Sequence, residues 1–202
     1  MKNHDNINNP EFWESRYNNR ETGWDLGQAT PVFEEISQKI KPGRICILGC
    51  GNGYDAMLFS RKGFDVTAVD FAPTPIRNIK KAAKKQSLNI STVQDDIFNL
   101  SSKYKNSFDY IVEQTCFCAI DPLKRLQYSC LAYDILKTGG QLIGLWMPLD
   151  KDIKDGGPPF GVEEKEVKHL FSKNWIIKED RFPSKSIEPR KGREKLIIFQ
   201  KS

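Results

Sequence analysis

The turn Gly49-Cys50-Gly51-Asn52-Gly53, closing an apolar run that starts at Arg44, and the acid Asp70, closing a second apolar run, are the residues best placed to do chemistry. Small residues at a strand-to-helix turn let a ligand lie against the backbone. A carboxylate beside that turn offers two oxygens to a pair of ribose hydroxyls. The spacing discriminates among nucleotides. A dinucleotide turn reads G-x-G-x-x-G, but Tyr54 stands where the third glycine belongs and the pattern is G-x-G-x-G. Such a turn suits a ligand with no pyrophosphate to cradle, such as S-adenosylmethionine, and argues against a nucleotide-dependent oxidoreductase. A glycine turn alone also fits a bare connecting loop, so the rest of the chain must decide.

The elements that would position these residues alternate. Helices are expected from Pro10 to about Asn19 and from Pro31 to about Ile40, each with proline in its first turn. Strands follow near 44–48, 64–69, 90–94, 108–113 and 141–147, with two more near 174–181 and 194–200. Helices are expected at 55–62 with Gly63 as C-cap, from Ala72 to about Gln86, from Pro122 to Lys137 closed by Gly139-Gly140, and near 163–172. This order predicts an α/β fold with a mostly parallel sheet, helices on both faces and an antiparallel final pair. The 202 residues read as one domain, 1–202.

Composition removes other classes. No apolar run approaches the ~20 residues of a membrane span, and the N-terminus lacks a hydrophobic signal region. Five cysteines without C-x-x-C spacing point to reduced thiols and a cytoplasmic setting. Cys116 and Cys118 have only His4 and His169 to complete a metal site, so they read as core residues. The net charge of +5 is mild. Lys80, Lys81, Lys84 and Lys85 form a solvated helix face. The basic stretch from Arg181 to Lys195 interleaves only Phe182, too few aromatics for nucleic acid. A monomer acting on a small molecule is the expectation.

Motifs along nearly the whole chain make it resemble the thiopurine S-methyltransferase superfamily, nearer its thiol and halide methyltransferases. They are Trp13-x3-Tyr17-x6-Trp24-Asp25-Leu26-Gly27-Gln28-Ala29-Thr30-Pro31, the glycine turn through Asp55, Val69-Asp70-Phe71 and Asp96-Ile97-Phe98. Phe108-Asp109-Tyr110-Ile111, Phe117-Cys118-Ala119-Ile120-x-Pro122 and Gly156-Gly157-Pro158-Pro159-Phe160 complete the set. The resemblance implies a Rossmann-like class I methyltransferase with seven strands and S-adenosylmethionine as donor. It also implies an N-terminal helical lid over residues 1–40.

Residue by residue, the resemblance puts Trp13, Tyr17 and Trp24 in that lid, where aromatic faces stabilise a sulfonium by ~1–2 kcal/mol once water is excluded. The alternative for Trp13 and Tyr17 is a helix's core stripe. Gly49 and Gly51 would lie against the donor's methionine portion, Asp70 would hold the ribose, and Phe71, Asp96 and Ile97 would contact adenine. Gln114 occupies a position that relatives fill with tyrosine or arginine, near the donor's amino-acid end or the acceptor. Phe117, Cys118, Trp146, Pro158, Pro159 and Phe160 would wall the acceptor. Two prolines after two glycines suit a stiff lid segment, or else a plain connecting loop.

Methyl transfer from a sulfonium to a thiolate, hydrosulfide, halide, thiocyanate or selenium or tellurium anion needs alignment and a dry pocket more than a base. Neither histidine lies in a motif, and no catalytic residue is assigned. Glu113 reads as a strand-end anchor for the donor or a neighbouring loop rather than as a base. A non-catalytic binder of the donor or its demethylated product, and an enzyme for a larger thiol such as a thiopurine, stay open as alternatives.

Overall fold

The structure, a computed structural model, describes residues 7–202. The chain opens with helices α1 (Pro10–Asn18) and α2 (Pro31–Lys39), each starting on proline, whose missing N–H has no helical partner to lose there. It then alternates through β1 (Arg44–Leu48), α3 (Tyr54–Arg61), β2 (Asp65–Asp70), α4 (Pro73–Lys85), β3 (Ile90–Gln94) and the short α5 (Ser101–Tyr104). β4 (Phe108–Gln114), α6 (Arg125–Ile135), β5 (Leu136–Trp146), α7 (Glu164–Leu170), β6 (Trp175–Arg181) and β7 (Lys195–Lys201) complete the order.

One seven-stranded sheet runs β3-β2-β1-β4-β5-β7-β6. The pairs from β3 through β5 are parallel, and β7 is antiparallel to both neighbours. This is the expected topology. Both faces of the central strands are buried, which is why they read as continuous apolar runs. In β5, Leu142 and Trp146 join a core with Phe108, Tyr128, Phe171 and Phe199. Their neighbours Ile143 and Leu145 point the other way, into a core with Val32, Phe33, Phe59 and Ile198. Each fully buried apolar side chain of this size contributes about 1.5–3 kcal/mol.

One expectation is corrected. Gly139-Gly140 does not close a helix. A 3-10 turn at Pro122–Lys124, capped by Asp121, leads into α6, which ends at Ile135, and β5 begins at Leu136. Leu136 pairs with Phe108, and the register then shifts before Tyr110 pairs with Gln141. A Cβ on Gly140 would come within 2.9 Å of Lys137 O and 3.1 Å of Asp109 O, so glycine serves a bulge between two close backbones.

The parallel strands all deliver their C-terminal ends to one edge. Gly49 follows β1, Asp70 ends β2, Asp96 lies just past β3, Thr115 follows β4 and Met147 follows β5. Ligands of open α/β sheets bind beyond such an edge.

Candidate functional site

These five residues line a cavity of about 460 Å³ at that edge. Gly49 brings the start of the glycine turn into it. Gly49 has φ +58°, and a Cβ there would sit 3.0 Å from the Cys116 side chain, so a larger residue fits neither the backbone nor the space. Asp70 ties the turn to the next strand. Its Oδ2 accepts from Gly51 N at 2.8 Å and its Oδ1 from Ala72 N at 3.0 Å. Burial raises its pKa to about 6, opposed by those backbone donors.

α1 and the loop after it contribute Trp13, Tyr17 and Trp24 to the lining. Trp24 stands edge-on to both Trp13 and Tyr17, with centroids 5.7 Å away in each case. Hydrogen bonds fix this cluster from several sides. Trp13 Nε1 donates to Ile7 O at 2.9 Å, Thr74 N donates to Glu14 at 2.9 Å, and Arg190 Nη2 donates to Trp24 O at 2.8 Å. Burial, with Asp70's charge nearby, pushes the Tyr17 phenol far above its ordinary pKa, so it stays neutral.

Of the expected donor residues, Trp13, Tyr17, Trp24, Gly49, Asp70, Phe71, Asp96 and Ile97 line this cavity. Asp96 Oδ1 accepts from Phe98 N at 3.0 Å and so caps the turn that presents Ile97. Gly51 and Gln114 instead line a second cavity of about 60 Å³, which shares Trp24, Gly49 and Thr115 with the first. There Thr30 N donates to Asp55 Oδ1 at 2.7 Å, and Thr30 Oγ1 lies 2.7 Å from Gln114 Oε1 and 3.0 Å from Asp55 Oδ2. One hydroxyl proton cannot serve both acceptors. With the amide turned over, Gln114 donates to Thr30 and Thr30 donates to Asp55. Either orientation leaves one end of a buried amide unpartnered. That leftover end suits the charged amino-acid portion of S-adenosylmethionine, and burial holds Asp55 up at a pKa of about 6 beside it. Asp55 and Thr30 stand within the quoted motifs, and only the folded chain brings them together with Gln114.

The acceptor walls need correction. Cys118, Pro158 and Pro159 line the cavity, whereas Phe117, Trp146 and Phe160 are not among its lining residues and are buried in the protein. Phe117 packs edge-on between Tyr128 and Trp146 under the Arg125 guanidinium. Trp146 donates to Ile197 O at 3.3 Å, and Phe160 N donates to Cys118 O at 2.7 Å. The reason is alternation. Trp146 ends β5 facing the core, so the next residue, Met147, turns to the cavity. In the turn after β4, Cys116 and Cys118 line the cavity, whereas Phe117 is packed between Tyr128 and Trp146. Arg16, Glu21, Phe98, Ala119, Ile120 and Lys124 also line it without having been foreseen.

Glu113 is an anchor for the neighbouring loop. Its Oε1 accepts from Cys116 N at 3.2 Å and Phe117 N at 3.0 Å, and its Oε2 accepts from Tyr128 OH at 2.7 Å. Burial raises its pKa to about 7, and the three donors oppose the rise. Burial also pushes the Cys118 thiol to about 12, leaving it a neutral wall rather than a nucleophile. His169 lies on α7 away from the cavity, and His4 lies outside the described residues. Among the described residues no group of His, Cys, Asp or Glu could hold a metal ion, and no helix is long and apolar enough to cross a membrane.

The thiopurine S-methyltransferase (TPMT) family profile matches residues 8–200. A probable thiol methyltransferase 2 of Arabidopsis thaliana is 32% identical over 199 residues, covering 94% of this chain and 84% of its own. Thiocyanate methyltransferase 1 of Brassica oleracea is 29% identical, with the same coverage. Among solved structures, a Burkholderia thailandensis 1,6-didemethyltoxoflavin-N1-methyltransferase with bound S-adenosylhomocysteine superposes with a TM-score of 0.76 at 18% identity, covering 96% of this chain and 87% of that one. TehB from Haemophilus influenzae gives 0.68 at 21% identity, with coverage of 96% and 67%. The structural likenesses establish the fold.

Proposed function

The chain belongs to the thiopurine S-methyltransferase family, and from that premise we propose that it transfers a methyl group from S-adenosylmethionine to a small soft nucleophile. The acceptor class is a thiol or hydrosulfide, a halide, thiocyanate, or a selenium or tellurium anion. When bound, the donor supplies a methyl group on a cationic sulfur that leaves as a neutral thioether. Asp70 would hold its ribose, Phe71, Asp96 and Ile97 its base, and Gly49, Gly51 and Gln114 its amino-acid end. Trp13, Tyr17 and Trp24 would cage the sulfonium. One observation carries the reading. A triad of edge-packed aromatics lines a cavity that Cys118, Met147, Pro158 and Pro159 line as well, with no histidine among its lining residues.

Such a wall favours large, weakly hydrated nucleophiles, which lose least on leaving water. On this reading a thiol proton is released to solvent beforehand, since no imidazole lines the cavity. The chain's contribution is alignment and exclusion of water, each able to lower the barrier by several kcal/mol. The proposal has the chain working as a monomer in the cytoplasm, and its unpaired cysteines support that compartment.

The test is direct. Purified protein is incubated with labelled donor and iodide, bromide, thiocyanate, hydrosulfide, selenide, aromatic thiols or a thiopurine, and volatile and soluble methylated products are measured. Turnover of the small anions is expected. Tight donor binding with no turnover on any acceptor would make it a binding protein instead, and turnover of the thiopurine alone would shift the reading to larger thiols.

A further inference from the structure

A buried charge stands behind Trp24. Arg190 is 6% exposed, lines neither cavity, and ends a 3-10 turn, Glu188–Arg190, shortly before β7. Taking a guanidinium out of water is expensive unless its N–H groups find partners. Nη2 donates to Trp24 O at 2.8 Å, whereas Nη1 has no hydrogen-bond partner among the described residues. Glu194, 1% exposed, supplies an opposite charge. The turn that carries the guanidinium is firm. Arg190 N donates to Ile187 O at 2.9 Å, and Arg190 O accepts from Arg193 N at 2.9 Å and Glu194 N at 3.0 Å. Leu149 N donates to Arg193 O at 2.9 Å, which fastens the turn to the segment after Met147. On its other side the Trp24 loop is held through the next residue. Asp25 accepts from Asn52 Nδ2 of the glycine turn and from Gly27 N at 2.7 Å. Trp24 itself is partly buried and lies outside any helix or strand, so the place of its indole depends on where that backbone is pinned.

We propose that Arg190 is a positioning residue for methyl transfer: its guanidinium, reaching across from the turn before β7, pins the Trp24 backbone and so keeps the indole seated over the donor's sulfonium. The inference rests on the proposed aromatic cage. Arg190 touches neither donor nor acceptor and acts only through Trp24. Arginine suits the task because it keeps its charge when buried, and a charged donor makes a stronger hydrogen bond than a neutral one. Without that bond the loop populates other positions, and the cation contact is lost in the molecules whose indole has moved.

Calorimetric titration of the wild type, Arg190→Met, Trp24→Ala and the double variant tests this with S-adenosylmethionine and S-adenosylhomocysteine. The sulfur is cationic in the first ligand and neutral in the second, so the ratio of affinities reports the cage. Arg190→Met is expected to weaken S-adenosylmethionine about fivefold, the scale of one net hydrogen bond, and S-adenosylhomocysteine by less than about twofold. In the Trp24→Ala protein the same change should weaken neither ligand further, since the ring it seats is gone. Hydrogen exchange at the amides of Asp25 and Gly27 should quicken in Arg190→Met while the central strands stay protected. Should that variant not fold, Arg190→Met combined with Glu194→Gln keeps the buried charges balanced and gives the same readings. Where Trp24→Ala does change the ligand ratio, an unchanged ratio in Arg190→Met, or equal weakening with and without Trp24, overturns the inference. A ratio that Trp24→Ala leaves unmoved refutes the cage instead. Exchange at Asp25 and Gly27 then decides the tether alone, quicker exchange supporting it and unchanged exchange overturning it.

Discussion

Replacing Glu113 by glutamine separates an anchoring carboxylate from a catalytic one. Glu113 is 1% exposed, and burial raises its pKa from 4.5 to about 7 despite three hydrogen-bond donors. The folded protein therefore holds this proton more readily than the unfolded chain does. The stabilisation from this group is fully present below about pH 4.5 and is lost as the pH rises through about 7. A shift of ~2.5 units at ~1.36 kcal/mol each amounts to about 3 kcal/mol. Roughly 1.4 kcal/mol of it disappears between pH 6 and pH 8. At about 2–4 °C per kcal/mol for a chain of this length, the wild type should lose some 3–5 °C in Tm across that window from this group. Glu113→Gln keeps an acceptor for Cys116 N and Phe117 N but has no proton to titrate, so this share of the pH dependence vanishes. Asp55 and Asp70, both raised to about 6, act in the same direction in both proteins and cancel in the comparison. Thermal denaturation at the two pH values measures the difference. Turnover on the best acceptor should stay within a few-fold, whereas removal of a general base typically costs about 10²–10⁴-fold. Identical pH dependence of Tm in both proteins, or a collapse of turnover with Tm unmoved, refutes the anchor.

Asp70→Ala should weaken donor affinity tenfold or more by calorimetry, and unchanged affinity would remove the ribose assignment. Because burial puts its pKa near 6, wild-type donor affinity should also decline as the pH falls below about 6, where the protonated carboxyl accepts less well. Trp24→Ala opens the aromatic triad and should raise the donor's Kd by about 5–30-fold, from ~1–2 kcal/mol of cation–π contact, with little effect on Tm because the ring is only partly buried. Phe117→Ala should cost about 3–5 kcal/mol of stability, as a core aromatic does, whereas Met147→Ala should chiefly change the acceptor's KM. The reverse pattern in urea denaturation and steady-state kinetics would restore Phe117 to the wall.

Local chemistry made much of this protein legible without coordinates. Prolines starting α1 and α2, continuous apolar runs in the parallel strands and the G-x-G-x-G turn each depend on a few neighbouring residues. That part of the cavity follows from them, because Gly49, Asp70 and Asp96 sit at strand ends, whose place at one edge is dictated by parallel pairing. The two glycines at 139–140 misled because a helix C-cap and a strand bulge ask the same freedom of glycine, and only the approach of Asp109 from β4 tells them apart.

The rest of the cavity lining was decided by the tertiary structure. Which of Trp146 and Met147 lines the cavity turns on a one-residue phase, and which of Cys116, Phe117 and Cys118 does so on the turn after β4, and both depend on packing against α6, α7 and β7. Gln114 and Asp55 come together through Thr30, at separations of 84 and 25 residues, and the Arg190 contact with the Trp24 loop spans 166. Residue types in order specified the sheet and the strand ends that line the cavity, since strands and turns are built from short-range preferences. The shape of the space left for the acceptor is what remains after distant segments have packed, and no local pattern encodes it.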